Sequence, residues 1–130
     1  SMAKNKTNYV DGFVFVVPKK NVVAYQKMAK AINKFWIQCG ALDYKECMCD
    51  DLNATMGGHP MLSFGKIVKL KKGETVWFSY VTYKSRAHRD QVNKKVAKAM
   101  EEQSDAFKNM PMPFDPKRMA YGGFKVMVSA

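Results

Sequence analysis

Apolar residues cluster in several short stretches of this chain, and their pattern predicts the strands. YVDGFVFVV (residues 9 to 17) consists mainly of β-branched and aromatic residues and ends at Pro18. LDYKECMC (42 to 49) and MAYGGFKVMV (119 to 128) predict two further strands. In the last of these, Gly122 and Gly123 indicate a bulge or a close approach of another part of the chain.

Two more strands are predicted in the middle of the chain. SFGKIVKL (63 to 70) and TVWFSYVTY (75 to 83) are separated by a short turn through Lys71, Lys72 and Gly73, which predicts a hairpin. DDLNATMGGHPML (50 to 62) is a loop, because glycine and proline interrupt it.

Two segments have the apolar period of long helices. The first begins after Asn21, a suitable N-cap, and ends at Gly40. Its apolar positions are Ala24, Met28, Ala31, Ile32, Phe35 and Cys39. The second helix, SRAHRDQVNKKVAKAMEEQ (85 to 103), has a buried stripe of Val92, Val96, Ala99 and Met100. NMPMPFDP (109 to 116) then forms a proline-broken connection to the last strand.

The order of these elements predicts an α+β fold, a ferredoxin-like βαββαβ sandwich with an antiparallel sheet. Its two helices cover one face of the sheet, yet alternate residues of the strands are apolar on both faces. A second copy of the chain can cover the other face, which predicts a homodimer packed sheet to sheet. Alternatively, the ends of the chain and the loop at 50 to 63 fold over that face.

Length and composition favour one domain. The chain has 130 residues, of which 47% are hydrophobic, and this suffices for a single core over residues 9 to 130. Residues 1 to 8 are expected to be a flexible N-terminus that begins with a tag remnant, since Ser1 precedes Met2. No apolar run is long enough to span a membrane, and no secretory signal is present, so a soluble cytoplasmic protein is predicted.

The three cysteines, an odd number, fit a reducing compartment better than a disulfide framework. Cys47 and Cys49 lie on one face of a strand, and Cys39 and His59 can complete a set of zinc ligands. The spacing is nevertheless not that of a zinc motif, so we predict no metal site. No nucleotide fingerprint or phosphate-binding glycine loop is present either, and no cofactor is predicted.

The formal net charge of +11 suggests a nucleic-acid partner. The lysines are scattered along the chain and are not grouped with exposed aromatic residues into a binding module. A solvated, lysine-rich surface is the simpler interpretation, because net charge bears on solubility before it bears on function.

Four stretches form a recognisable set: YVDGFV (9 to 14), SRAHRDQVN (85 to 93), MPFDPKRM (112 to 119) and YGGF (121 to 124). Together they resemble the signature of the DUF1428 family, also called the YbaA-like proteins. The resemblance runs over nearly the whole chain from Tyr9 and implies the dimeric α/β barrel fold. It implies no activity, since the family is named for lacking one. The chain differs from the family in its excess of lysine, which leaves a nucleic-acid (RNA) partner as an alternative.

Ligand-binding candidates centre on the three arginines, because arginine offers a planar, bidentate donor that lysine lacks. Ser85 caps the second helix, so Arg86 and His88 fall in its first turn and Arg89 just beyond, where the helix dipole disfavours positive charge. A small organic anion held by these residues and by Arg118 can offset that charge. Alternatively the partner is internal: Asp90 is four residues from Arg86, and Glu46, Asp11 or Asp115 can approach from elsewhere in the fold.

His88 and Glu46 are the candidates for acid–base catalysis. The ordinary pKa of histidine lies near neutrality, although His88 beside the core stripe is more simply a hydrogen-bonded boundary residue. Glu46 shares a strand face with apolar neighbours, so its carboxyl either has a partner or has a pKa perturbed for a function. The same two alternatives hold for Asp11. No nucleophile with a visible triad appears. The sequence therefore leaves three hypotheses: a dimer that binds a small anion between sheet and helices, a nucleic-acid binder, and a structural protein without a ligand.

Overall fold

The structure is a computed structural model and describes residues 6 to 103 and 112 to 130. It has a mixed α+β architecture built on a four-stranded antiparallel sheet with the strand order β2-β5-β1-β6. The strands of this sheet are β1 (Tyr9–Pro18), β2 (Asp43–Met48), β5 (Glu74–Tyr83) and β6 (Ala120–Lys125). A separate two-stranded hairpin consists of β3 (Thr55–Met56) and β4 (His59–Pro60).

β1 lies at the centre of the sheet and pairs along its full length with β5, from Tyr9 opposite Tyr83 to Pro18 opposite Glu74. Its other edge pairs with β6. The predicted strand 9 to 17 is therefore confirmed, and so is its end at Pro18, which has no N–H to continue a ladder.

Two long helices, α1 (Val22–Gln38) and α3 (Arg86–Glu102), pack on one face of this sheet. Alternate strand residues point to that face and form two buried clusters with the helices. One cluster joins α3 to the sheet through Tyr9, Val81, Tyr83, Val92 and Val96. The other joins α1 to it through Phe15, Val17, Tyr25, Ala29 and Trp77.

The opposite face of the sheet carries exposed aromatic residues. Phe78 of β5 is 44% exposed and Phe124 of β6 is 61% exposed, whereas Val16 and Val76 at one end of the same face are buried. The described part of the chain thus covers only one end of this face, which we call the open face. The alternative cover, by the ends of the chain and the loop at 50 to 63, stays a prediction, because residues 1 to 5 lie outside the described residues.

The predicted strand at 63 to 70 is wrong. Residues 64 to 67 form a short helix, α2 (Phe64–Ile67), because the Ser63 side chain caps it by accepting a hydrogen bond from the Lys66 N–H. The strand predicted at 75 to 83 is real, but it pairs with β1 and β2 and not with residues 63 to 70.

The turn that ends α2 contains an unusual residue. The Leu70 N–H donates to the Gly65 carbonyl at 2.9 Å, and the Lys69 N–H donates to the Lys66 carbonyl at 3.3 Å. This is the Schellman pattern, in which the left-handed position is usually glycine. Here that position is Lys69, with φ of 52°. A left-handed backbone costs a residue with a side chain about 1–2 kcal/mol.

Three smaller predictions also need correction. Asn21 does not cap α1 with its side chain; its Nδ2 instead donates to the Pro113 carbonyl at 3.0 Å. The residues of α1 that are fully buried are Tyr25 and Ala29, whereas the predicted positions Ala24 and Ala31 are exposed. The last strand covers only residues 120 to 125. It has no bulge in its pairing, but the close approach predicted at its glycines is confirmed, because the Tyr9 side chain lies against Gly123.

Part of the predicted flexible N-terminus, residues 1 to 5, and part of the proline-broken connection, residues 109 to 111, lie outside the described residues. Within the described ranges no helix combines the length and the apolar character that crossing a bilayer requires. All three cysteines are unpaired thiols, as the sequence suggests. In residues 6 to 103 and 112 to 130, no three histidine, cysteine or acidic side chains come together as a set of metal ligands.

Candidate functional site

A buried ion pair links the central strand to the second long helix. Asp11 on β1 is 2% exposed, and its Oδ1 accepts a hydrogen bond of 2.8 Å from Nη1 of Arg89 on α3. The strand places Asp11 on the face toward the helices, and Arg89 reaches it from the first turns of α3. Among the acidic residues considered as internal partners of the arginines, Asp11 is therefore one that pairs with Arg89.

Arg89 has three further polar or aromatic neighbours. Its Nη1 also donates to the hydroxyl of Tyr121 on β6 at 2.7 Å, and its Nε donates to Asp90 Oδ1 at 2.8 Å. The guanidinium lies 5.1 Å from the centre of the Tyr9 ring, within the range of a cation–π contact. Two carboxylates therefore share the one positive charge of Arg89, and little of that charge remains for an anionic ligand.

Burial dominates the ionisation of Asp11. Removal from water raises the pKa of this carboxyl, and the positive charge of Arg89 and hydrogen bonds from Tyr121 and Arg89 only partly oppose that rise. Asp11 is accordingly more easily protonated than an exposed aspartate. A raised pKa of a buried carboxyl is one mark of a functional site, and here it accompanies a cleft and a charged partner.

A cleft of about 340 Å³ opens beside this pair, between the sheet and the two long helices. Its polar lining groups are Asp11, Asn93 and the hydroxyl-bearing rings of Tyr83 and Tyr121. The rest of the lining is aromatic or aliphatic: Phe13, Trp36, Val96, Ala97 and Met100. An apolar cleft with a few converging polar groups is the usual form of a small-molecule site.

The hydroxyl of Tyr83 has no hydrogen-bond partner among the described residues, although the side chain is 0% exposed. Burial raises the pKa of Tyr83, and the negative charge of Asp11 raises it further. The Trp36 indole N–H approaches the hydroxyl and opposes the rise, but it lacks the geometry of a full hydrogen bond. A buried hydroxyl without a partner costs about 1–3 kcal/mol. Thr82 Oγ1 is a second such atom, but it belongs to the opposite face of the sheet.

Glu46 on β2 forms a separate polar cluster under α1. Its Oε1 accepts a hydrogen bond of 2.7 Å from the hydroxyl of Tyr25. The Asn33 amide, oriented to suit its acceptors, donates to Glu46 Oε2 at 3.1 Å. Burial raises the pKa of Glu46, and bonds from Tyr25, Tyr44 and Asn33 oppose that rise. Glu46 and Asn33 line a cleft of about 380 Å³, distinct from the one beside Asp11.

Ser85 and His88 serve the start of α3. The Ser85 hydroxyl accepts a hydrogen bond of 3.0 Å from the His88 N–H, which is the N-cap that the sequence predicts. His88 Nδ1 accepts from the Lys84 N–H at 3.0 Å, and its ring packs edge-on against Tyr83 with centroids 5.8 Å apart. These contacts favour the simpler interpretation of His88 as a hydrogen-bonded boundary residue.

Arg86 and Arg118 lie apart from the cleft. Arg86 forms no ion pair within the described ranges, since Asp90 pairs with Arg89 instead. Arg118 binds Glu74 with both ends of its guanidinium, at 2.5 Å from Nη1 to Oε2 and 3.1 Å from Nη2 to Oε1. The partner of Arg118 is thus Glu74, which was not among the acidic residues considered from the sequence.

The structure therefore brings together Asp11 and Arg89 but separates them from Glu46, Arg118 and the exposed Arg86. Sequence reasoning missed the tyrosines that complete the cluster, chiefly Tyr83 and Tyr121. Both were interpreted as ordinary strand residues. The available signal was the alternation of residues between the two faces of a strand. It puts Tyr83 on the same face as Asp11 only when the register of β1 and β5 is known.

Comparison with known proteins places the chain in a family. The model of a family described as "Protein of unknown function (DUF1428)" matches residues 8 to 116. A protein of Escherichia coli strain K12 named "Uncharacterized protein YbaA" is 36% identical over 122 residues, which cover 92% of this chain and 97% of the relative. A protein of the same name from Shigella flexneri matches equally well. The chain belongs to the DUF1428 family.

Proposed function

We propose that this protein binds a small organic molecule in the cleft between the sheet and the two long helices. The observation that carries the proposal is the Tyr83 hydroxyl, which is buried without a partner among the described residues, in the wall of a cleft that Tyr83 and Asp11 line. A ligand group that bonds to this hydroxyl removes an unfavourable feature of the empty protein. Unpartnered buried polar groups are rare in folded proteins, and a functional role is one of the physical reasons for such a group.

The lining of the cleft indicates the kind of ligand. Phe13, Trp36 and the tyrosine rings suit an aromatic or otherwise apolar body, and a volume of about 340 Å³ is at the small end of ligand sites. Asp11 and Tyr83 suit a head group that both donates and accepts a hydrogen bond, such as a hydroxyl.

The charge of the cleft argues for an uncharged head group. The sequence suggested an anion held by Arg89, but Asp11 and Asp90 already pair with this arginine. A carboxylate in the cleft would be a third negative charge around a single guanidinium. We therefore propose a neutral hydroxylated ligand for this cleft in place of the anion predicted from the sequence.

Three probes that share one benzene ring test this proposal: phenol, benzoate and benzylamine. Nuclear magnetic resonance titration of the protein is expected to show phenol shifting the signals of residues around the cleft, with weaker effects from the charged probes. Ala97→Trp, which fills the cleft from α3, should abolish the response. Lys98→Trp, at the adjacent exposed position, is the matched control. Equal responses of the two variants, or stronger binding of benzoate, would contradict the proposal.

We also propose that two copies pair through their open faces, in the ferredoxin-like, dimeric α/β barrel arrangement expected from the sequence. The strand order β2-β5-β1-β6 supports it, as do the exposed rings of Phe78 and Phe124 on that face. Native mass spectrometry should give a dimer for the unmodified protein and a monomer for Phe124→Glu. A monomeric unmodified protein would exclude this pairing. Extra mass on the dimer, absent from the denatured chain, would identify a bound ligand directly.

A further inference from the structure

A second group of charged side chains lies away from the cleft, where the turn after α2 meets the segment before β6. Lys69, Lys71, Lys117 and Arg118 line one surface pocket of about 440 Å³. We call it the basic pocket. Its other walls are Ile67, Val68, Met119 and Ala120.

Two carboxylates belong to this region, and both already have partners. Glu74 binds the guanidinium of Arg118 and also accepts the Lys71 N–H at 2.7 Å. Asp115 accepts the Lys117 N–H at 3.0 Å. The ammonium groups of the three lysines of the pocket form no ion pair within the described residues. The basic pocket therefore has an excess of positive charge.

Arg118 also fixes the shape of the basic pocket. Its Nη2 donates to the carbonyls of Val68 at 3.1 Å and Lys69 at 3.2 Å, so the guanidinium holds the turn in place. This is the turn in which Lys69 occupies the left-handed position that glycine fills at lower cost. A lysine at this position costs conformational free energy. Contact between its ammonium group and a ligand is a physical reason for a lysine here in place of glycine.

We propose that the basic pocket binds a small phosphate-bearing molecule with more than one negative charge. Lysine binds phosphate as a point charge, and several lysines around one concave surface can share the oxygens of one or two phosphate groups. The basic pocket shares no lining residue with the cleft beside Asp11, so this proposal does not depend on the function proposed above.

Isothermal titration calorimetry with inorganic pyrophosphate tests the proposal, at low and at physiological ionic strength. Lys69→Gly and Lys117→Ala should each weaken binding roughly tenfold, the size expected for losing one hydrogen bond to a charged group. Lys27→Ala, which removes an exposed lysine of α1, should leave the affinity unchanged. Lys69→Gly should also melt no lower than the unmodified protein, because it relieves the left-handed backbone.

Three results would overturn the proposal. The first is that pyrophosphate does not bind, and the second is that Lys69→Gly and Lys117→Ala bind it as the unmodified protein does. The third is that a short single-stranded oligonucleotide binds in place of pyrophosphate and that Lys27→Ala weakens it equally. That outcome would assign the phosphates to a nucleic-acid backbone held by the whole lysine surface.

Discussion

Replacing Tyr83 by phenylalanine should stabilise the protein. The change removes only the hydroxyl, which is buried without a partner in the described part of the chain, and leaves the ring in its contact with His88. A buried polar group without a hydrogen bond costs about 1–3 kcal/mol, so the variant should gain roughly 1 kcal/mol. In a domain of this length such a gain raises Tm by about 3–5 °C.

Tyr25→Phe is the matched comparison and should have the opposite sign. Tyr25 is 5% exposed and packs on the same side of the sheet, but its hydroxyl donates to Glu46 Oε1 at 2.7 Å. Its removal deletes a hydrogen bond to a charged group and leaves a carboxylate oxygen short of one donor. We expect a loss of about 1.5–3 kcal/mol.

Urea unfolding, followed by tryptophan fluorescence at one fixed protein concentration, measures both changes as shifts of the midpoint at constant slope. Destabilisation of Tyr83→Phe to the same degree as Tyr25→Phe would refute the reasoning, because the Tyr83 hydroxyl would then have a partner in solution. The proposal of a ligand group at this position would lose its main support. A stabilised Tyr83→Phe that no longer responds to phenol would support both.

Three further changes test other parts of the structure. Glu46→Gln removes the carboxyl whose pKa burial raises, so that its ionisation destabilises the unmodified protein at neutral pH. This cost disappears as the pH falls to about 4.5, so over that range the unmodified protein should gain stability relative to the variant. Equal pH dependence of the two urea midpoints would contradict the assignment. In Arg118→Lys the ammonium cannot bind both Glu74 oxygens and the two backbone carbonyls of the turn, so the free energy of unfolding should fall by about 1.5–3 kcal/mol. A double-mutant cycle with Glu74→Gln checks that the loss belongs to this pair. Gly123→Ala would force a methyl group against the hydroxyl and ring of the buried Tyr9. Its Tm should therefore fall further than that of Gly57→Ala, which meets no neighbour and has only the cost of its left-handed backbone.

The two central strands and the second long helix could be predicted because each has a clear local signal. The stretches at 9 to 17 and 75 to 83 are long and rich in β-branched and aromatic residues, and the segment at 85 to 103 carries its buried valines four apart. The prediction of a strand at 63 to 70 was wrong because a short apolar run fits a strand and a helix equally well. In the structure the Ser63 side chain caps this segment and stabilises the helical conformation.

The candidate site could be predicted only residue by residue. Asp11 and Arg89 stood out because a charged residue in an apolar strand and an arginine among lysines are both unusual. Their pairing joins positions 78 residues apart, and it depends on the register of β1 and the rotation of α3, which no local pattern specifies. Tyr83 was missed for a related reason, since whether a hydroxyl finds a partner depends on neighbours from other parts of the chain.

The central position of β1 has a consequence for how the chain folds. This strand is near the start of the sequence, but its two neighbours, β5 and β6, lie more than fifty and more than a hundred residues later. Closing such long loops is entropically costly, and sheets dominated by distant pairs fold slowly. During synthesis the apolar segment 9 to 17 leaves the ribosome well before any strand that can cover its edges. Both edges of that segment therefore stay unpaired until β5 and β6 have been made, and the four-stranded sheet closes only with the last strand.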